Sequence, residues 1–217
     1  MKKTLDKKII ISTFAILLFL FILRDVFVYE VTFYDKWIYS TFVESSRSNE
    51  MTLIMQIITS LGSGIVLVSF VILMYILMKN KNNSYLALIN LGMISLINNI
   101  IKIIVKRPRP EYGIITETNY SFPSGHATAA TAFYGFLIYL IYINVKNKKL
   151  KYFLIALMFI IIVSICVSRI YLGVHYFSDT LAGFAFSIAY LMLFITITSG
   201  VLKKLGDNNE KKEKKKN

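Results

Sequence analysis

The chain has 217 residues, of which 56% are hydrophobic and only 17% are charged, and its formal net charge is +13. This composition excludes a disordered chain, and the apolar runs are too long for the helices of a soluble domain. The single cysteine, Cys166, cannot form an internal disulfide, so we expect no covalent cross-link and no redox chemistry at a cysteine pair.

Six apolar stretches are each long enough to cross a bilayer core of roughly 30 Å, which takes about 20 helical residues. They predict an all-α fold, an integral membrane bundle of six transmembrane helices that forms a single domain over residues 1–202. The first stretch follows several lysines, as in a signal peptide, but no small-residue cleavage site comes after it, so we expect a retained span. The six predicted spans are 9–29, 53–78, 84–105, 127–145, 150–167 and 176–202.

The positions of the basic residues predict the orientation of this bundle. Seventeen of the 25 Lys and Arg residues lie in four patches on the side of the two termini, and the opposite side carries no net charge. Because loops rich in Lys and Arg stay in the cytoplasm, both termini are predicted to be cytoplasmic. The positive charge is thereby assigned to membrane topology, and no nucleic-acid partner is expected. The four patches are residues 2–8, 79–81, 146–151 and 203–216.

Two polar segments are predicted to lie at the membrane surface. The lysine-rich tail, residues 203–217, has no apolar periodicity and is expected to be disordered and attracted to anionic headgroups in the cytoplasm. On the opposite side, Trp37 and nearby tyrosines among charges favour an amphipathic element over residues 30–50 at the headgroup level.

The first motif that could bind or transform a substrate lies at the outward end of the third span. Ionisable residues near a membrane are functional candidates, because desolvation is costly unless they have partners. Lys102 is followed by Arg109 in a proline-rich run that ends the helix. An ammonium group and a planar guanidinium at this spacing suit a dianionic phosphate. Basic side chains that only reach toward the membrane interface would give the same pattern.

The second motif precedes the fourth span. Ser124 is a preferred N-cap residue, and Gly125 lets a backbone N–H approach an anion closely, so the free amides of this helix start predict an anion site. His126 follows in the first turn, beside whatever is bound there. By itself, this turn is weak evidence for a site.

The third motif joins the last two spans. His175 and Asp179 are four residues apart on one helix face, after Arg169 in the preceding connection. The carboxylate can accept a hydrogen bond from one imidazole nitrogen and leave the other nitrogen free to attack. A buried structural pair, or half of a metal site, would have the same spacing. The outward side offers few other carboxylates near the histidines, however, so no metal cofactor is expected.

Together the motifs supply cations, helix-end amides and an oriented nucleophile, as phosphoryl transfer through a histidine requires. They are K-x6-RP at 102–110, PSGH at 123–126 and SR-x5-H-x3-D at 168–179. This tripartite signature resembles that of the type 2 phosphatidic acid phosphatase superfamily, which includes bacterial membrane lipid phosphatases and soluble vanadium haloperoxidases. The three parts are complete and in order, and they cover about a third of the chain.

The resemblance implies a metal-independent phosphatase that has a phosphohistidine intermediate and no cofactor. In this assignment His175 attacks phosphorus, Asp179 orients it, and His126 protonates the leaving alkoxide and then activates water. The groups that would hold the phosphate oxygens are Lys102, Arg109, Arg169, Ser124 and the Gly125 amide.

The leading prediction is therefore a multi-pass enzyme of the cytoplasmic membrane that hydrolyses a lipid phosphomonoester or diphosphate at the outer face. The candidate substrates are phosphatidylglycerol phosphate, phosphatidic acid and undecaprenyl diphosphate, and the expected partners are this lipid and the bilayer. Six spans disfavour a soluble haloperoxidase. A non-catalytic channel, transporter or lipid-binding scaffold would use the same cations, but docking an anion does not require an oriented imidazole.

Overall fold

The computed structural model describes the backbone of residues 2–78 and 80–213 and the side chains of residues 7–78 and 80–199. Within those ranges the chain is all-helical and contains no strand, which confirms the predicted fold class. A π-helical turn at Tyr39–Val43 joins two of the short helices. The α-helices are α1 (Lys2–Tyr29), α2 (Phe33–Ile38), α3 (Glu44–Ser46), α4 (Asn49–Ser60), α5 (Gly64–Leu77), α6 (Asn82–Val105), α7 (Gly125–Asn144), α8 (Lys148–Tyr171) and α9 (Phe177–Glu213).

Five helices of the described chain, α1 and α6 to α9, are long and apolar enough to cross a membrane, and they match five of the predicted spans. The predicted span 53–78 is instead divided between α4 and α5, which meet at an angle of 48° and pass the same test only together. Ser63 starts a new helix here, because its side chain accepts a hydrogen bond from the Val66 N–H and so caps α5. The bundle therefore has six spans only if this bent pair counts as one.

The first and last helices extend beyond the predicted spans. α1 begins at Lys2, and α9 continues past Leu202 to Glu213. The side chains of residues 1–6, of Lys79 and of 200–217, and the backbone of 214–217, lie outside the described residues. The disorder expected for the tail 203–217 therefore stays a prediction.

Helices α7 and α9 form the centre of the bundle. Each buries half of its membrane-length segment inside the protein, whereas α1, α6 and α8 bury between 22% and 28% of theirs. Small residues permit the close approach of the central helices, since a Cβ added to Gly183 of α9 would lie 2.7 Å from the Thr128 hydroxyl of α7. The outer helices consequently leave broad apolar faces for lipid.

Five helix ends meet at one end of the bundle. Helices α6 and α8 end there, and α7 and α9 begin there after the intervening connections. Helix α1 ends there too, because the Arg107 guanidinium that follows α6 donates a hydrogen bond to the carbonyl of Glu30, directly after α1. The connections α1–α4, α6–α7 and α8–α9, which the predicted topology places opposite the two termini, thus lie together. Helix α1 runs toward this end of the bundle and α9 runs away from it.

The segment between α1 and α4 covers the same end. The Thr32 hydroxyl and the Asp35 carboxylate each accept a hydrogen bond from the other residue's backbone N–H, which fixes the start of α2. Asp35 is buried, whereas Phe33 and Trp37 of the same helix are exposed. This two-faced pattern agrees with the amphipathic element expected at the headgroup level.

Candidate active site

Lys102 lies in the last turn of α6 and points toward the chain that precedes α7. Its ammonium group donates hydrogen bonds to the carbonyls of Tyr120 and Ser121, the latter at 3.3 Å. Helix α6 ends immediately afterwards, because Lys106 takes a left-handed conformation with φ of 53°. The predicted phosphate ligand Lys102 is thus buried in the site, and it also ties the α6–α7 connection to α6.

Arg109 lies next to the predicted nucleophile. Its Nη1 is 3.2 Å from His175 Nε2 and donates a 2.6 Å hydrogen bond to the carbonyl of Val174. Its Nε donates to the carbonyl of Asn119 at 2.6 Å. Burial and the charge of Arg169 lower the pKa of the Arg109 guanidinium, but an arginine stays charged throughout the physiological range. A fixed positive charge therefore lies beside Nε2 of the predicted nucleophile.

His175 has Arg109 on one ring nitrogen and Asp179 on the other. Its Nδ1 lies 3.4 Å from Asp179 Oδ2, and this arrangement favours a proton on Nδ1 and a lone pair on Nε2. The ring is only 2% exposed. Burial lowers the pKa of His175 to about 3; Asp179 opposes this shift, and Arg109 and Arg169 add to it. The imidazole is therefore neutral at neutral pH, as a nucleophile must be.

Asp179 is held from several directions. Its Oδ2 accepts a hydrogen bond from the Tyr176 N–H at 2.9 Å and another from the Ser121 hydroxyl. Its Oδ1 lies 2.5 Å from Arg107 Nη1 in a fully buried ion pair. Because each oxygen is satisfied, the carboxylate has a fixed direction from which to orient His175.

Arg107 was not among the predicted site residues, yet it is the link between two buried carboxylates. Its Nη2 lies 2.8 Å from Asp35 Oδ2, opposite the pair with Asp179, and the guanidinium carbon lies 4.1 Å from the centre of the Tyr176 ring. Burial alone would lower the pKa of Arg107, but the two carboxylates raise it above its ordinary value. A continuous chain of hydrogen bonds and ion pairs therefore runs from His175 through Asp179 and Arg107 to Asp35.

Asp35 of α2 completes this chain and also caps α9. Its Oδ1 accepts a 2.8 Å hydrogen bond from the backbone N–H of Ser178, and its Oδ2 accepts one of 2.8 Å from the Ser178 hydroxyl. A carboxylate at a helix start satisfies unpaired amides and the helix dipole. The signal in the sequence was an acidic residue among the aromatic residues of the amphipathic segment, but nothing there identified its partner.

Ser124 and Gly125 begin α7 as predicted. The Ser124 hydroxyl accepts a hydrogen bond from the Ala127 N–H at 3.5 Å, and the Ser124 N–H donates to the Asp179 carbonyl at 3.1 Å. Across the helix pair, the Asn98 amide donates to the Thr128 hydroxyl at 3.1 Å. The start of α7 is thereby fixed between α6 and α9, with its first amides at the end of the bundle where the cations lie.

His126 lies in the first turn of α7 and is half-buried, unlike His175. A Cβ added to Gly62 would be 3.4 Å from His126 Cδ2, so the break between α4 and α5 lies directly against this ring. The second imidazole is therefore less buried than the first, and the break between α4 and α5 packs against it.

Arg169 is buried at the end of α8. Its Nη1 donates a 3.0 Å hydrogen bond to the Thr59 hydroxyl of α4, and its Nη2 donates one of 2.6 Å to Glu117 Oε1. Glu117 Oε2 lies 3.9 Å from Arg109 Nη2. Two predicted phosphate ligands, Arg109 and Arg169, therefore converge on the carboxylate of Glu117, which was not among the predicted site residues.

The fold and the site together define a multi-pass helical membrane protein with a buried cluster of basic side chains beside an oriented histidine. A family model described as the PAP2 superfamily matches residues 83–202. The chain belongs to this superfamily, which confirms the family predicted from the three motifs.

Individual proteins agree with this assignment. Phosphatidylglycerophosphatase B of Bacillus subtilis (strain 168) is 33% identical over 115 residues, which make up 51% of this chain and 54% of that protein. The match thus spans about half the length of this relative. The crystal structure described as the first transmembrane PAP2 type phosphatidylglycerolphosphate phosphatase from Bacillus subtilis has a TM-score of 0.79 and 26% identity, covering 88% of this chain and 96% of that one. Aquifex aeolicus LpxE shares the fold, with a TM-score of 0.55, 23% identity, and coverage of 70% of this chain and 90% of that one.

Proposed function

We propose that this chain is a membrane lipid phosphatase that hydrolyses a lipid phosphomonoester or diphosphate through a phosphohistidine intermediate. The observation that carries the proposal is the setting of His175, a buried neutral imidazole with Asp179 on Nδ1 and Arg109 at Nε2. An anion-binding scaffold needs the cations but has no use for a neutral, oriented imidazole beside them.

In the first step, the lone pair of His175 Nε2 attacks the terminal phosphorus and forms an N–P bond, while the bond from that phosphorus to the leaving oxygen breaks. The leaving oxygen belongs to the lipid alcohol of a phosphomonoester or to the lipid monophosphate of a diphosphate, and it takes a proton from the protonated ring of His126. Arg109, Arg169 and Lys102 stabilise the charge that develops on the phosphoryl oxygens. Asp179 stabilises the positive charge that the attack places on the imidazole ring.

In the second step, His126 removes a proton from a water molecule, and the water oxygen attacks the phosphohistidine. The N–P bond breaks, inorganic phosphate leaves, and His175 returns to its neutral form. The half-buried position of His126 supports this role, because the group that meets both the leaving lipid and the incoming water must be reachable.

Phosphatidylglycerol phosphate is the first substrate to test, because the relative and the crystal structure from Bacillus subtilis both carry that activity in their names. The decisive experiment measures phosphate release by the purified protein from phosphatidylglycerol phosphate, phosphatidic acid and undecaprenyl diphosphate in the presence of EDTA. We expect turnover of at least one lipid, no requirement for a metal, and no turnover by a folded His175→Ala variant. A folded wild-type protein that binds these lipids without releasing phosphate would instead indicate a non-catalytic binding protein.

We also propose that the site faces outward across the cytoplasmic membrane, with both termini in the cytoplasm. The uneven distribution of Lys and Arg supports this orientation. Membrane-impermeant thiol labelling of intact cells, in a Cys166→Ala background, should modify Glu111→Cys in the exposed α6–α7 connection and leave Lys149→Cys unlabelled. The reverse pattern would invert the topology.

A further inference from the structure

The carboxylate of Glu117 lies where two guanidinium groups converge. Its Oε1 is 2.6 Å from Arg169 Nη2 and its Oε2 is 3.9 Å from Arg109 Nη2, so each oxygen faces a different arginine. Two oxygens of a bound phosphate would face the same pair of arginines. Glu117 thus presents to the site the kind of group that the site is built to bind.

Glu117 is held quite differently from the other carboxylate of the site. Asp179 is fully buried and fixed by a backbone amide, a serine hydroxyl and an arginine. The Glu117 side chain is 28% exposed and projects from the non-helical connection between α6 and α7. The Glu117 side chain can therefore leave the arginines by rotating toward solvent, whereas Asp179 has no such freedom.

The charges around Glu117 explain why it enters the site. Arg169 is 99% buried, and Arg109 is only 13% exposed in its side chain, so an unoccupied site would hold two poorly solvated like charges. Burial alone would raise the pKa of Glu117, but the hydrogen bond and the charge of Arg169 lower it. The carboxylate is therefore ionised at neutral pH and compensates these cations.

A phosphate dianion and the Glu117 carboxylate are incompatible between the same arginines. Both are negative, and in a partly buried site their repulsion is weakly screened. Whichever anion occupies the position excludes the other. Displacing Glu117 costs free energy, and this cost makes the binding free energy of both the substrate and the phosphate product less favourable.

We propose that Glu117 is an internal anion that occupies the phosphate position of the resting site and leaves it when a lipid phosphate binds. This inference rests on the proposed phosphatase function. Glu117 takes no part in bond making or breaking. Its effect is to weaken ground-state binding of every phosphate, which favours release of the product and keeps free phosphate from blocking the site.

The test compares Glu117→Gln with Glu111→Gln, a matched control in the same connection that removes an exposed carboxylate without an ion partner among the described residues. For Glu117→Gln we expect the inhibition constant of inorganic phosphate and the KM for the lipid to fall about tenfold, with kcat changed less than about twofold. The control should leave all three constants unchanged. The glutamine oxygen can still accept a hydrogen bond from Arg169, so we expect this variant to fold, and its melting temperature in detergent verifies that.

Two other results would overturn the inference. A higher KM and a lower kcat in Glu117→Gln would mean that Glu117 positions Arg169 for catalysis, and unchanged constants would mean that it does not compete with phosphate. Calorimetric measurement of inorganic phosphate binding to the wild-type protein distinguishes a failure of the Glu117 inference from a failure of the proposed phosphatase function. If phosphate binds and lipid turns over while Glu117→Gln shows either result, only the role of Glu117 is wrong. If neither binding nor turnover is found, the proposed function fails as well.

Discussion

The two sides of the candidate site differ in how firmly the chain holds their charged groups. The rigid side contains the proposed nucleophile. Its residues are at most 2% exposed, and each contacts at least one other residue of this set: His175, Asp179, Arg107 and Asp35. On the other side, which we call the open side, the proposed acid His126 is half-buried beside the break between α4 and α5.

This difference follows from what each side must do in the proposed reaction. A nucleophile gains from a fixed tautomer and a fixed direction, which buried hydrogen bonds provide. A group that serves the leaving lipid and then a water molecule needs access instead. The buried ion pairs also stabilise the end of the bundle only if they stay complete, because an unpaired charge there is strongly unfavourable.

The largest effect is expected from breaking the rigid side at Arg107. Arg107→Ala leaves two buried carboxylates without their common partner, so we expect a loss of about 3–5 kcal/mol of stability and no measurable turnover. Arg107→Lys keeps the charge but not the two-sided guanidinium, and we expect a folded protein with turnover reduced at least about tenfold. Melting temperature in detergent and phosphate release measure the two effects.

Arg24→Ala supplies the control for Arg107→Ala. Arg24 also pairs with an aspartate, Asp25, but its side chain is 67% exposed. Its removal should change stability by less than about 0.5 kcal/mol and leave turnover unaffected. If Arg107→Ala behaves like this control, the chain of hydrogen bonds and ion pairs from His175 to Asp35 does not orient His175.

The rigid side also shows what the sequence could and could not predict. His175 and Asp179 were predictable because a spacing of four places them on one helix face, and the helix itself follows from a long apolar run. The pairs of Arg107 with Asp35 and Asp179 join residues 72 positions apart, and no local periodicity encodes such contacts. Arg107 stood among several basic residues of one short run, with nothing to separate it from its neighbours.

Two features of the open side, the break between α4 and α5 and the position of Glu117, could not be predicted from the sequence. The break between α4 and α5 occupies residues 61–63 inside an apolar stretch, and the change of direction there depends on how Ser63 caps the next helix. Glu117 belongs to an irregular connection whose path is set by tertiary contacts such as its pair with Arg169. Hydrophobicity and motif spacing predict helices and their ends well, but they do not predict which residues of a loop lie in the site.

The open side is tested next, at His126. His126→Ala removes the proposed acid and base, and we expect turnover of lipid phosphates to fall about 10²–10⁴-fold. A nitrophenyl phosphate needs no proton on its leaving group, so it should still phosphorylate His175 in this variant. Because water is no longer activated, we expect a burst of nitrophenol equal to the enzyme concentration, followed by slow release, with acid-labile phosphate on the protein.

The double variant His126→Ala with His175→Ala is the control and should show neither the burst nor the labelled protein. Equal losses for lipid and nitrophenyl substrates, with no burst, would mean that His126 does not transfer protons. The two sides of the site would then not divide nucleophile from acid and base.

The smallest effect is expected from Gly62→Ala. This substitution probes the open side alone, because it is expected to shift His126 without removing it. A Cβ at Gly62 would lie 2.8 Å from Ile165 Cγ2 and 3.4 Å from His126 Cδ2. Ile165 is fully buried and has no free space to enter, so Gly62→Ala should shift the bent helix pair or the imidazole by a few tenths of an ångström. Since general acid catalysis depends on hydrogen-bond distance, we expect turnover to fall about threefold to tenfold with little change in KM. Gly64→Ala, at the first residue of α5, is the matched control because nothing lies within 4 Å of the added methyl group. Equal turnover in the two variants would show that the packing of Gly62 against the ring does not position His126 for proton transfer.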